Sequence, residues 1–424
     1  MTAAPATVPL RTPAEIRRAR FIGVSYLLLA LFVLWFFAVG SLGEGSAEFK
    51  LVRPTDRFSW FPPLTIPASG FSFVIAGAFA ALAGVQFTRG FRKLTNVVLG
   101  IALVFFIVSF LSWAAAGKSF SLVGMMQESV KRSVPIALGA LAGVLCERVA
   151  VINIAIEGQL LGGAFVAALT GSLWGPYWGI VGAVLAGAAL SWVLAVLSVK
   201  YRVDQIIVGV VINIFVLGLT SFMTIRILAQ NAHLNQAEIL KPINITWLSD
   251  IPFVGSVLFQ HNIFVYGMFI IVAAVTFGLF RTSWGLRSRA VGEHPKAADT
   301  VGIDVYRYRY MNVIIGGMIA GFGGAFFIVG SVGSFDENMT FGRGFIALAA
   351  MIFGKWHPVG AMSAALVFGF SEALQGKLAI LQTPIPSEFL LMAPYVVTIV
   401  VVAGLVGKAR PPAADGQPYI KEGH

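Results

Sequence analysis

Long apolar runs bounded by charged or Gly/Pro-rich stretches dominate the chain. The first, Phe21 to Gly40, follows an arm carrying Arg11, Arg17, Arg18 and Arg20. A basic arm before an apolar run has the outline of a signal peptide, but a signal core has about 7 to 15 residues and a span roughly 20. The run therefore predicts an uncleaved first transmembrane helix. Further apolar segments lie near Gly70–Phe87, Val97–Trp113, Val134–Leu145, Gly158–Leu173, Trp178–Val199, Ile206–Met223, Ile263–Phe280, Met311–Val329, Phe345–Phe353, Val359–Leu374 and Phe389–Val406. Twelve segments, a few too short for a straight span, predict an all-α polytopic bundle with about 10–12 spans. The short ones around Asn153 and Lys355 are candidates for re-entrant halves.

Composition agrees with the pattern: 58% of the 424 residues are hydrophobic and 12% charged, too apolar for folding around one water-soluble core. The net charge of +11 argues orientation, because basic residues collect in cytoplasmic loops, and it does not argue a nucleic-acid partner. With the amino terminus inside, the arm, the loops 88–96, 200–204 and 281–309 and the tail from Lys408 hold eighteen of the thirty Lys and Arg. The expectation is that both termini are cytoplasmic. The chain divides into a cytoplasmic arm (1–20), extra helices with a long outer loop (21–128), a core (129–407) and a cytoplasmic tail (408–424). The Pro-rich part of that tail, after Arg410, has the composition of a disordered segment.

Covalent chemistry finds little support. Gly117-Lys118-Ser119 resembles the end of a phosphate-binding loop, but the earlier glycine of that motif would fall at Ser112 and no strand precedes it. The five histidines are scattered, so no metal site is expected, and the one cysteine, Cys146, excludes an intramolecular disulfide. No nucleophile lies beside a base. The chain reads as a non-enzyme without a cofactor of its own. Gly139 with Gly143, and Gly317 with Gly321, have the spacing that lets membrane helices pack closely.

Two polar interruptions carry the functional signal. From Cys146 to Gln159 the residues Glu147, Arg148, Asn153, Glu157 and Gln159 break an apolar stretch. Non-helical backbone at membrane depth persists only inside protein or beside a water-filled cavity, so a broken helix facing a transport route fits, as does a plain cytoplasmic turn. The second interruption, Gly292 to Ile303, reads as a short helix with Pro295 in its first turn and Gly302 just past its end. Two turns of helix are unstable alone. A separate cytoplasmic protein is the expected dock, and the bilayer surface is the alternative.

These segments resemble those of permease subunits of bacterial ABC importers in the branched-chain amino acid, ribose and nucleoside superfamily, most closely its nucleoside-type branch. Glu147, Arg148, Asn153, Glu157 and Gly158 match that branch's first motif, while Ala150 and Ala155 stand where glycine is usual. Ala297-Ala298-x-x-x-Gly302 is similar to the superfamily's coupling loop, with Lys296 in place of a glutamate. Gly344 to Pro358, continuing through Gly360 to Glu372, is a third matching stretch. The resemblance implies a permease in the bacterial cell membrane that moves a small polar solute, nucleosides foremost, by alternating access.

It further implies cytoplasmic ABC ATPase subunits that bind the ATP, a second permease subunit and an extracytoplasmic solute-binding lipoprotein. Glu293, His294, Pro295, Ala297, Ala298 and Gly302 would contact the ATPase. Asn153, Glu157 and Gln159 would line the solute path, with Asn213 and Glu372 behind them. Permeation of simple sugars or another polar solute, and ion-coupled transport using Glu157 and Glu372, are the alternatives.

Overall fold

The computed structural model describes residues 13–421 apart from 55, 57–58, 92–93, 246, 382, 384, 387–388, 390–391 and 393–409. The apolar segment at Phe389–Val406 lies almost wholly outside the described residues. Two compact units form, one from Met1–Val123 with Leu378–Ile385 and one from Gly124–Lys377 with Pro386–His424.

In the first unit α1 (Pro13–Phe32, continuing as a wider turn to Val39), α2 (Ala68–Thr88) and α3 (Thr95–Ala114) are long apolar helices. Their contact surface is aromatic: Phe37 stacks on Trp113 at 5.4 Å and lies 5.6 Å from Phe106. Polar links are few among the described residues: the Ser72 and Ser109 hydroxyls meet at 3.0 Å, and Gln86 Nε2 donates to Ala19 O at 3.4 Å. The segment between α1 and α2 contributes β1 (Ser46–Lys50) and β2 (Leu64–Pro67), which pair antiparallel, and β3 (Ser119–Ser121) adds to β1 in parallel. Phe49 and Phe120 meet edge to face at 5.8 Å on this small sheet.

The second unit holds α4 (Leu122–Glu147, beginning at the junction), α5 (Ile156–Trp174), α6 (Pro176–Ala195), α7 (Gln205–Met223), the short α8 (Val254–Leu258), α9 (Ile263–Arg281), α10 (Ser283–Glu293), α11 (Pro295–Thr300), α12 (Val305–Phe327), α13 (Arg343–Phe353) and α14 (Pro358–Ile380). Nine helices among the described residues are long and apolar enough to cross a bilayer. The protein is a mostly helical multi-pass membrane protein with a few short strands.

Glycines set the closest packing. A methyl group on Gly187 of α6 would sit 2.1 Å from the carbonyl oxygen of Gly317, and one on Gly321 would sit 2.1 Å from that of Ala183. Only hydrogen at those positions lets α6 and α12 touch backbone to backbone, which in lipid supplies the attraction that hydrophobic burial supplies in water. Gly139 and Gly143 instead leave room on α4 for the side chains of Ala347, Met351 and Ile156.

Two expectations are corrected. The helix expected from Val134 begins at Leu122, because Glu128, Lys131 and Arg132 interrupt the apolar run without interrupting the helix. Lys131, Arg132 and Arg343 accordingly lie in helices. Second, the tail after Arg410 is not disordered over 410–421: Pro412, Ala414 and Tyr419 are buried, and Ala414 N–H donates to Gly292 O at 3.1 Å. Its Pro-rich composition is offset by specific contacts to residues distant in sequence.

Candidate functional site

The polar interruption after α4 is a true helix break spanning 148–155. Ala150 takes φ +60, a left-handed conformation that costs an L-residue roughly 1–2 kcal/mol. A second break follows α13, where Lys355 and Trp356 both have positive φ, +55 and +53. The two breaks are latched together. Trp356 Nε1 donates to Glu147 Oε2, and the Arg148 guanidinium donates to Trp356 O from Nε at 3.0 Å and Nη2 at 2.7 Å. Burial, with the Arg289 cation second, pulls the Arg148 pKa below its ordinary value.

The expected path residues form staples within the second unit. Asn153 and Gln159 exchange amide hydrogen bonds at 3.1 and 3.3 Å, and Gln159 also donates to Ser191 Oγ at 2.8 Å. Both side chains are fully buried. Asn213 accepts from Gly158 N–H at 2.7 Å and donates to Ile154 O at 2.8 Å, so it satisfies the free backbone groups on both sides of the start of α5. Gln205 serves the same purpose earlier, accepting from Ile152 N–H at 2.6 Å.

Glu157 caps a different helix. Its carboxylate accepts from Thr340 Oγ1 at 2.6 Å, Gly342 N–H at 2.8 Å and Gly344 N–H at 2.6 Å, at the amino terminus of α13. Unpaired N–H groups and the positive end of the helix dipole make that terminus a favourable place for a buried carboxylate. Glu372 sits apart from these, on α14, where Oε2 pairs with Arg343 Nη2 at 3.0 Å and Arg132 Nη1 at 3.7 Å. Arg343 also lies over the Phe327 ring, 5.7 Å from its centroid.

Sequence reasoning missed Arg132, Arg343 and Thr340. A signal was available, since a charge inside a span is a functional pointer by default. Arg132 and Arg343 lie just before the apolar segments that begin at Val134 and Phe345, and so fall outside the spans those runs predict. Glu128 and Lys131, paired at 3.2 Å on α4, were hidden in the same way.

The inner helix expected between Gly292 and Ile303 is α11, with His294 before it, Pro295 in its first turn and Gly302 at φ +81 past its end. Ala298 is buried as its anchor, while Glu293, His294, Lys296, Ala297 and Val301 are exposed. Behind it, Gly292 approaches the first break so closely that a methyl there would lie 2.3 Å from Arg148 O. The end of α10 and the first helix break thus meet in a backbone contact.

A cavity of about 400 Å³ beside α9 is walled by Phe269, Val272, Phe277, Phe280, Val359 and Met362. It is apolar and touches none of the candidate path residues. Among the described residues no three His, Cys, Asp or Glu side chains gather as a metal set would require.

Comparison with known proteins places this geometry in a family. Residues 125–405 match the model of the branched-chain amino acid transport system permease component. The guanosine ABC transporter permease protein NupQ of Bacillus subtilis is 41% identical over 297 residues, covering 68% of this chain and 93% of that protein. The nucleoside ABC transporter permease protein NupC of Lactococcus lactis is 40% identical over 300 residues, covering 68% and 94%. The putative glucose ABC transporter permease protein TsgC13 of Haloferax volcanii is 34% identical, covering 59% and 77%. No solved structure matches the chain. With the family model matched across most of the chain and near-complete coverage of two relatives, this protein belongs to the family of permease components of branched-chain amino acid transport systems.

Proposed function

We propose that the chain is a nucleoside-translocating permease subunit of a bacterial ATP-binding cassette importer. The observation that carries this reading is the 40–41% identity to two nucleoside-type permeases along 93–94% of their lengths. ATP binds to and is hydrolysed by separate cytoplasmic ATPase subunits, and this chain holds no cofactor. A second permease subunit completes the path, and an extracytoplasmic solute-binding lipoprotein delivers the solute. The 34% identity to a putative glucose permease makes a sugar the second reading.

In this reading Glu372, Arg343 and Arg132 offer the polar groups of the path, suited to ribose hydroxyls and a base edge, with Phe327 as a flat apolar neighbour. Asn153, Glu157, Gln159 and Asn213 border the same path and hold its breaks in shape. Glu293, His294, Pro295, Ala297, Ala298 and Gly302 form the ATPase contact, with the exposed Ala297 and Val301 facing the partner. Both termini are cytoplasmic, supported by the Lys/Arg bias and by the seating of 410–421 beside the basic inner loop. ATP binding closes the ATPase pair, and differential affinity for the two states supplies the work.

The test is uptake of labelled guanosine by vesicles holding the permease, its ATPase and its binding protein, with unlabelled glucose as competitor. ATP-dependent uptake that excess guanosine abolishes and glucose leaves intact is expected. Uptake that follows an imposed ion gradient without ATP would overturn the reading, and competition by glucose alone would move the solute to sugars. Ala298→Arg and Gly302→Arg should release the ATPase from the complex and stop uptake.

A further inference from the structure

Segment 410–421 has no regular secondary structure, yet it is held at points that belong to three separate elements. Toward the inner helices, Ala414 N–H donates to Gly292 O at 3.1 Å, Ala413 N–H donates to Glu293 Oε2 at 3.2 Å, and Lys421 Nζ lies 3.9 Å from Asp299 Oδ1. Toward the start of α12, Arg309 Nη1 donates to Gln417 O at 3.1 Å, Tyr306 donates to Tyr419 O at 3.4 Å, and the two tyrosine rings lie 5.4 Å apart. Toward the first helix break, Gly416 takes φ +72 with its Cα side against Ile152, and the Asp415 carboxyl faces that of Glu147.

Arg309 sharpens the point. It is 1% exposed, and its Nε and Nη2 have no hydrogen-bond partner in this structure. A buried guanidinium is costly unless its surroundings compensate it. What Arg309 does have is the segment's Gln417 carbonyl and the nearby Asp415 and Tyr419. Removing 410–421 would leave it without a hydrogen-bond acceptor.

We infer that 410–421 is a transmission strap: it ties α10 and α11 to the helix break at 148–155, so that a displacement of α11 moves Ile152 and Asn153 with it. The inference rests on the ATPase-driven reading above and adds residues to it. The six-residue α11 is too short to behave as a rigid lever alone. Coupling between distant sites needs packed contacts with two discrete arrangements, and the strap provides a second contact between coupling segment and break besides Gly292 against Arg148. Ile152, Arg309, Pro412, Ala414, Gly416 and Tyr419 are positioning residues in this scheme, and none of them touches solute.

The experiment uses the reconstituted permease–ATPase complex and reads ATP hydrolysis and solute uptake in the same vesicles. Gly416→Val places a branched side chain at a left-handed φ where even a methyl would lie 2.8 Å from Ile152 Cδ1, so it unseats the strap in a full-length chain. A second variant ends after Arg410, and Pro418→Ala, at an exposed strap position, is the control. The expected result is that both strap variants retain the ATPase and hydrolyse ATP, while solute moved per ATP falls by about tenfold or more. A synthetic peptide of residues 408–424 should restore the shortened chain, and Pro418→Ala should match wild type.

Unchanged transport per ATP in Gly416→Val overturns the strap and leaves the importer reading standing. Loss of the ATPase in parallel with uptake in Gly416→Val also overturns it, because the segment would then serve assembly and not transmission. A wild-type complex with no ATP-driven uptake overturns the importer reading itself, and the strap with it.

Discussion

The region before residue 123 and the region after it build their interiors on different physical terms. In α1 to α3 28–39% of the span windows is buried within the chain, as in α6, α7 and α9 (28–33%), whereas α4, α5 and α12 of the later region reach 72–89%. Among the described residues the first region buries no charged side chain, its interior polar residues being Ser41, Ser72, Gln86, Ser109 and Ser112. The second buries Glu147, Asn153, Glu157, Gln159, Arg309, Asn312 and Glu372. Glycines differ in part as well: a methyl on Gly77, Gly84 or Gly100 would meet nothing within 4 Å, although one on Gly23 would meet the Phe87 ring at 2.7 Å, while on Gly187 and Gly321 of α6 and α12 it would strike backbone at 2.1 Å. Apolar length alone makes a span, and close backbone contact with satisfied buried polar groups makes a defined interior.

The sharpest way to break this comparison is one substitution made in both regions. Gly321→Val, at a backbone–backbone contact, should abolish folded protein, whereas Gly100→Val should cost less than about 1 kcal/mol. Monodispersity in detergent and thermal unfolding of the two variants measure the difference. Equal behaviour would mean that α6 and α12 can separate without loss.

A smaller contrast comes from buried hydrogen bonds. Glu157→Ala removes the acceptor for three donors at the start of α13 and should destabilise by about 3 kcal/mol. Ser72→Ala, losing one neutral hydroxyl contact, should cost about 1 kcal/mol or less. Thermal unfolding monitored by tryptophan fluorescence ranks them.

The smallest effect concerns strain. Ala150→Gly relieves a left-handed alanine and should stabilise the second unit by about 1 kcal/mol. If it destabilises instead, the alanine methyl contributes packing that outweighs the strain.

Most spans were legible in the sequence because lipid leaves its imprint directly in apolar runs, as at Ile263–Arg281. The break at 148–155 was legible for the complementary reason, that Asn153, Glu157 and Gln159 are conspicuous in such surroundings. What these residues touch was not. Thr340 and Glu157 are 183 positions apart, and no spacing rule links them. The first half of α4 was hidden because its charges look like a loop when partners are unseen. The strap was hidden most completely, since its composition imitates disorder and its sockets are made by Gly292, Tyr306 and Ile152, more than a hundred residues earlier in the chain.

The lone cysteine has a practical consequence. Cys146 is fully buried at the end of α4, with the Asn153 amide approaching its sulfur at 3.5 Å. A thiol enclosed in this way is slow toward aqueous maleimides and spin labels. A cysteine introduced at exposed Val301 or Ile420 would therefore carry a fluorophore or nitroxide selectively in the otherwise native sequence, and any movement of α11 or of 410–421 becomes observable by spectroscopy without first removing the native cysteine.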